Sequence, residues 1–142
     1  MGVILTSAHL VAFVASRGLE TADRYYGGVL GFERVESSEF ANAYDANGPQ
    51  LRVTCVDEFS PALDTVLGWR VRDIVTEIEV LRTAGVIFKR YEGMSQDERG
   101  VWTSPSGAPI AWFADPDGNT LSLQEASADG PCRSGSGTSV TS

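Results

Sequence analysis

The sequence predicts an α+β domain made of two copies of a βαβββ unit. Three observations carry this prediction. Two segments have apolar residues at helical spacing, and each follows a short apolar strand. Three further strands follow each helix, and each half closes on a similar Asp-Gly type turn.

In the first half, Leu10-Val11-Ala12-Phe13-Val14 reads as a strand. Leu19, Ala22, Tyr25, Tyr26 and Val29 then recur at helix spacing, and Gly27-Gly28 marks the helix end. Strands follow at residues 32–35, 41–44 and 51–56. In the second half, residues 66–71 form the opening strand, and Ile74, Ile78, Leu81 and, less regularly, Val75 the helix face, with Gly85 as its stop. Strands are expected at residues 86–89, 110–113 and 120–124. The turn Asp45-Ala46-Asn47-Gly48 leads to Leu51-Arg52-Val53, and Asp115-Pro116-Asp117-Gly118-Asn119 leads to Leu121-Ser122-Leu123. A repeated supersecondary unit is a stronger fold signal than any one motif, because neither copy buries its sheet face alone. The domain is expected over residues 1–125, with modules at about 4–57 and 64–125. Residues 126–142, rich in Ser and Gly, read as a flexible tail.

Composition narrows the function classes. The 142 residues are 42% hydrophobic and 21% charged, which suits one globular domain. A net charge of −8 argues against nucleic-acid and anionic-membrane partners, since both need a basic footprint. The apolar runs fall short of a membrane helix, and the N-terminus lacks the basic region of a signal peptide. Cys55 and Cys132 are too few for a disulfide scaffold, so a cytoplasmic location is expected.

Tyr25-Tyr26-Gly27-Gly28-Val29-Leu30-Gly31-Phe32 and Asp115-Pro116-Asp117-Gly118-Asn119-Thr120-Leu121-Ser122-Leu123 resemble the two motifs of the vicinal-oxygen-chelate superfamily. That superfamily contains glyoxalases, bleomycin resistance proteins and extradiol dioxygenases. The segments Val66-Leu67-Gly68-Trp69, Tyr91-Glu92-Gly93-Met94, Gln96-Asp97-Glu98 and Val101-Trp102-Thr103-Ser104-Pro105-Ser106-Gly107 resemble a bacterial branch of it. The resemblance implies two βαβββ modules forming a half-open eight-stranded barrel around a central cavity, and a homodimer. It does not fix an activity, because function resides in sites rather than folds.

Metal-dependent members carry a His on each module's first strand and a Glu on its last. In this chain the second-module positions fall on Val66 and Ser122, and the first-module Glu position falls on Arg52. Counting back from Tyr26 puts the remaining position on Val11. A longer strand-to-helix link puts it on His9, the single histidine, which has the same parity. Neither Val66, Arg52 nor Ser122 suits a divalent cation, so no metal and no other cofactor is expected.

Strand alternation places Val11 and Phe13, Arg52 and Thr54, Gly68 and Arg70, and Ser122 and Gln124 toward the cavity. Arg52 and Arg70 would need carboxylates, with Glu39, Asp45, Asp97 and Glu98 as internal candidates, or an anionic ligand. Trp69, Trp102 and Trp112 lie on or beside strands and supply aromatic walls. The expected function is metal-free binding of a small molecule, such as a drug or toxin. The alternative is a lyase, isomerase or dioxygenase-like enzyme on a small organic substrate. Asp97 or Glu98 would then act as general base, and Arg52 or Arg70 would stabilise an oxyanion.

Overall fold

The computed structural model describes residues 5–62 and 64–125. The expected tail at 126–142 and Cys132 lie outside the described residues. After a 3₁₀ turn at Leu5–Ser7, the first half runs β1 (Val11–Ser16), α1 (Leu19–Asp23), β2 (Glu33–Ser37), β3 (Ala41–Asp45) and β4 (Gln50–Cys55). The second runs β5 (Thr65–Val71), α2 (Ile74–Thr83), β6 (Trp102–Thr103), β7 (Pro109–Ala114) and β8 (Thr120–Glu125). The strands form two four-stranded sheets of identical order, β1-β4-β3-β2 and β5-β8-β7-β6. In each, the first strand runs parallel to the last and the other pairings are antiparallel. The repeat extends to register, since Phe13 pairs with Arg52 as Gly68 pairs with Ser122.

The described residues divide into two units. One holds residues 5–61 together with the turn Asp115–Asn119, and the other holds the rest. In the first, Val14, Leu51, Val53, Tyr44, Ala22 and Tyr26 form the core between sheet and helix. In the second, Ile74, Ile78 and Leu81 of α2 are buried together with Ala111, Phe113, Leu121 and Leu123 of the sheet. Burial of each large side chain contributes about 1.5–3 kcal/mol. The Asp73 carboxylate caps α2 by accepting from Thr76 N–H at 3.3 Å. No helix of the described residues is long and apolar enough to cross a membrane.

Two elements depart from the sequence expectation. The helix expected to continue to Val29 changes to a π-helix over Arg24–Val29, where Leu30 N–H reaches back to the Tyr25 carbonyl. Helical spacing of apolar residues does not distinguish the two forms over so short a run. The expected strand at residues 86–89 is absent. Val86 and Phe88 are buried in alternation, which imitates a strand, but no ladder forms: Lys89 N–H bonds the Trp112 carbonyl, and the Lys89 ammonium bonds Thr120 Oγ1 at 2.9 Å. The place beside β7 is taken by Trp102–Thr103, paired with Ile110 and Pro109.

Candidate functional site

One face of the second sheet carries α2 and the other is open. Along β8, Leu121 and Leu123 turn to the helix while Ser122 and Gln124 turn to the open face. Along β7, Ala111 and Phe113 turn inward, and Ile110 and Trp112 outward. Two cross-strand rows result on the open face. One is Gly68–Ser122–Trp112 and the other is Arg70–Gln124–Ile110–Trp102. Arg70, Trp102, Trp112 and Ser122 therefore share a surface. Trp69 does not, because it pairs with the buried Leu123 on the helix side. Adjacent strand residues point to opposite faces, so Trp69 and Arg70 never share one.

Trp112 is the centre of this surface. The Trp102 ring lies 6.1 Å from it between centroids, and the Tyr91 ring meets it edge-on at 5.5 Å. The Trp112 indole N–H donates to Thr65 Oγ1 at 3.1 Å, which fixes the ring plane. Burial pushes the Tyr91 hydroxyl above its ordinary pKa, so it stays neutral at working pH. In the same row, Gly68 stands two strands from Trp112, with Ser122 between them. A Cβ on Gly68 would stand 2.7 Å from Ser122 Oγ.

The loop between α2 and β6 delivers Tyr91. Gln96 holds that loop. Its Nε2 donates to the carbonyls of Lys89 at 3.0 Å and Gly100 at 2.8 Å, and its Oε1 accepts from Tyr91 N–H at 2.7 Å. Tyr91 and Gln96 carry no site signal in the sequence, since no periodicity marks either residue in an irregular segment. Asp97 Oδ1 accepts from the N–H groups of Arg99 at 2.8 Å and Val101 at 2.9 Å. This candidate base thus spends one oxygen on closing a turn. Glu98 stands in solvent at 85% side-chain exposure, with Arg99 NH1 3.9 Å away.

In the first sheet the corresponding row is Phe13–Arg52–Ala43–Glu36. Phe13 is 64% exposed. Arg52 NH1 lies 3.6 Å from Glu36 Oε1 and donates to Gln50 Oε1 at 3.4 Å. Its carboxylate partner is Glu36, which the pairing of β2 with β3 brings into the row, and not Glu39 or Asp45. His9 is exposed and precedes β1.

The metal positions of the resembled superfamily do not fit a cation. Arg52 is itself a cation in an ion pair, Val66 has no donor, and Ser122 Oγ is aimed at Gly68. Among the described residues, no three His, Cys, Asp or Glu side chains converge as a metal site.

No protein-family model and no curated protein matches the chain. Solved structures do. A member of the glyoxalase/bleomycin resistance protein/dioxygenase superfamily from Sphaerobacter thermophilus matches with a TM-score of 0.66 at 21% identity. The match covers 86% of this chain and 99% of that one. A bleomycin resistance determinant encoded on transposon Tn5 matches at 0.64 and 19% identity, covering 84% and 98%. Lactoylglutathione lyase from Agrobacterium tumefaciens matches at 0.65 and 16% identity, covering 84% and 93%. The repeated βαβββ order, the two motifs and these structural likenesses agree: the chain has the fold of the glyoxalase/bleomycin resistance/dioxygenase superfamily.

Proposed function

We propose that the protein binds a small planar organic cation on the open face of its second sheet, without a metal. The observation that carries this reading is the Trp112 ring flanked by Trp102 and Tyr91 on an exposed sheet face. Aromatic faces attract cations by roughly 0.5–2 kcal/mol per ring, and a planar body adds stacking area. The net charge of −8 raises the local concentration of cations. Arg70 is the one cation of this row. It sits at the far end of its row from Trp102, three strand spacings or roughly 14 Å away. The likeness to a bleomycin resistance determinant supports sequestration of such a molecule.

The test is quenching of tryptophan fluorescence by N-methylquinolinium, with naphthalene-2-sulfonate as the planar anion of similar size. Saturable quenching by the cation, weakened about ten-fold or more in Trp112→Leu, is the expected result. Equal quenching by the anion, or no effect of Trp112→Leu, overturns the reading. Metal analysis of protein purified without chelators tests the metal-free part, which a stoichiometric divalent ion would refute.

A further inference from the structure

The second unit holds a cavity of about 210 Å³ that shares no residue with the open face. The last turn of α2 contributes Arg82. The segment after it contributes Ile87, Phe88 and Arg90, and the loop contributes Glu98 and Arg99. Three guanidiniums on one small cavity are unexpected in a chain of net charge −8. Like charges gather at a cost unless carboxylates or a ligand offset it.

The offset within the chain is incomplete. Arg82 NH1 lies 3.8 Å from Glu79 Oε2, and Arg99 Nε lies 3.9 Å from the same oxygen. Arg99 NH1 is 3.9 Å from Glu98 Oε2. All three separations exceed hydrogen-bond distance. Arg99 Nε is shielded from solvent and has no hydrogen-bond acceptor among the described residues. Arg90 NH2 donates to the Gln96 carbonyl at 3.3 Å and has no carboxylate partner among the described residues. So two carboxylates answer three guanidiniums, and fork-shaped donors are left to an incoming oxyanion.

The wall beside the guanidiniums is apolar. Phe88 is buried against Phe113, and Ile87 is 85% exposed with its side chain at the cavity. A volume of about 210 Å³ is below the ~300–1,000 Å³ of sites for drug-sized ligands. We infer that this cavity is a second binding site, for a small organic oxyanion. Its head, a carboxylate or phosphate ester, pairs with Arg90 and Arg99, and its short apolar body lies on Ile87. The cavity shares no lining residue with the aromatic surface, and the inference does not rest on the ligand proposed there.

Amide NMR on the full chain tests this, with pentanoate as probe and pentylamine as the cation of matching length. Neither has a ring to stack on Trp112, so the fate of the aromatic reading does not bear on the result. Pentanoate is expected to shift the amides of Ile87, Phe88, Arg90 and Arg99 saturably, while pentylamine leaves them in place. Arg99→Gln is expected to weaken binding about ten-fold. Arg90→Gln, which breaks no ion pair, is expected to do the same, so misfolding of the first variant does not decide the matter. Absence of saturation, an equal response to pentylamine, or unchanged affinity in Arg90→Gln overturns the inference.

Discussion

The Tyr26 hydroxyl donates to Asp115 Oδ2 at 2.8 Å, joining residues from the two motifs at opposite ends of the chain. Both groups are buried, Tyr26 at 1% exposure and Asp115 at 5%. Asp115 Oδ2 also accepts from Asn119 Nδ2 at 2.9 Å, and Oδ1 accepts from the N–H groups of Asp117 and Asn119 at 2.9 Å each. Asn119 Nδ2 in turn donates to the Ala15 carbonyl at 2.9 Å. Four donors therefore stabilise one buried carboxylate that has no Lys or Arg partner among the described residues. The turn anchors itself and the first unit through a single side chain.

Removing either end of the Tyr26–Asp115 bond should cost stability. A hydrogen bond to a charged group contributes about 1.5–3 kcal/mol, so Tyr26→Phe should lower the unfolding free energy by that amount. Asp115→Asn should cost about 2–4 kcal/mol, because an amide turns a donor toward groups that are themselves donors. Urea titration of both variants and the double variant should give a coupling energy of about 1 kcal/mol or more. Additive losses would show that the two groups do not act together.

Three tyrosines make stability sensitive to alkali. Burial, and then the neighbouring Asp115 carboxylate, push Tyr25 and Tyr26 above the ordinary value of 10.0. Burial, and then the hydrogen bond to Asp23, do the same for Tyr44. The fold favours the neutral form. This contribution is complete below pH 10.0 and is lost as pH rises through the raised folded-state values. Each such group steepens the loss by up to ~1.4 kcal/mol per pH unit. Urea midpoints measured from about pH 8 to about pH 11 should fall above pH 10, and less steeply in Tyr26→Phe than in the parent. A flat profile would mean that these hydroxyls ionise freely in the folded state.

How much of this was legible in the sequence depends on whether a pattern is local. The alternation of β5 and β8 put Gly68, Arg70, Ser122 and Gln124 on one face, and they share it. The Asp, Gly and Asn of the closing turn read as turn formers, and Gly118 does take a φ of 93°. That Asp115 bonds Tyr26 is a tertiary fact with no local trace. The segment 86–89 shows the converse: Val86 and Phe88 alternate like strand residues, yet both are buried without a ladder, Phe88 against Phe113. The chemistry of Trp69 suits a ligand wall, but its register places it under the helix, against Leu123.

Gly68 and Ser122 should be coupled by space. A Cβ at Gly68 would meet Ser122 Oγ at 2.7 Å, so Gly68→Ala must displace that hydroxyl or bend the strand. Overpacking of this kind costs about 1–3 kcal/mol. In a Ser122→Ala background the obstacle is gone, and the cost should shrink to within about 0.5 kcal/mol of zero, helped by the lower entropy of the unfolded alanine chain. Comparing the four unfolding curves measures this. An equal cost in both backgrounds would mean that something other than the hydroxyl keeps residue 68 small.

Gln96 should set the aromatic surface from outside it. Its side chain bonds the backbone of Lys89, Tyr91 and Gly100, so it fixes where Tyr91 leaves the loop and meets Trp112. Gln96→Ala removes three hydrogen bonds at about 0.5–1.5 kcal/mol each, and leaves backbone groups to find water. The loss should be local, since the loop lies outside the buried core of α2 and the sheet. Hydrogen exchange at Tyr91 N–H should speed up by about ten-fold or more, while the amides of Leu121 and Leu123 keep their protection. Tryptophan emission should change as the Tyr91 edge leaves the indole, and N-methylquinolinium should bind several-fold more weakly. Tyr91→Ala should weaken that ligand to a similar extent without altering exchange at Gly100. If Gln96→Ala loosens the loop yet leaves ligand affinity intact, Tyr91 is no part of the binding surface, and the site reduces to Trp112 and Trp102.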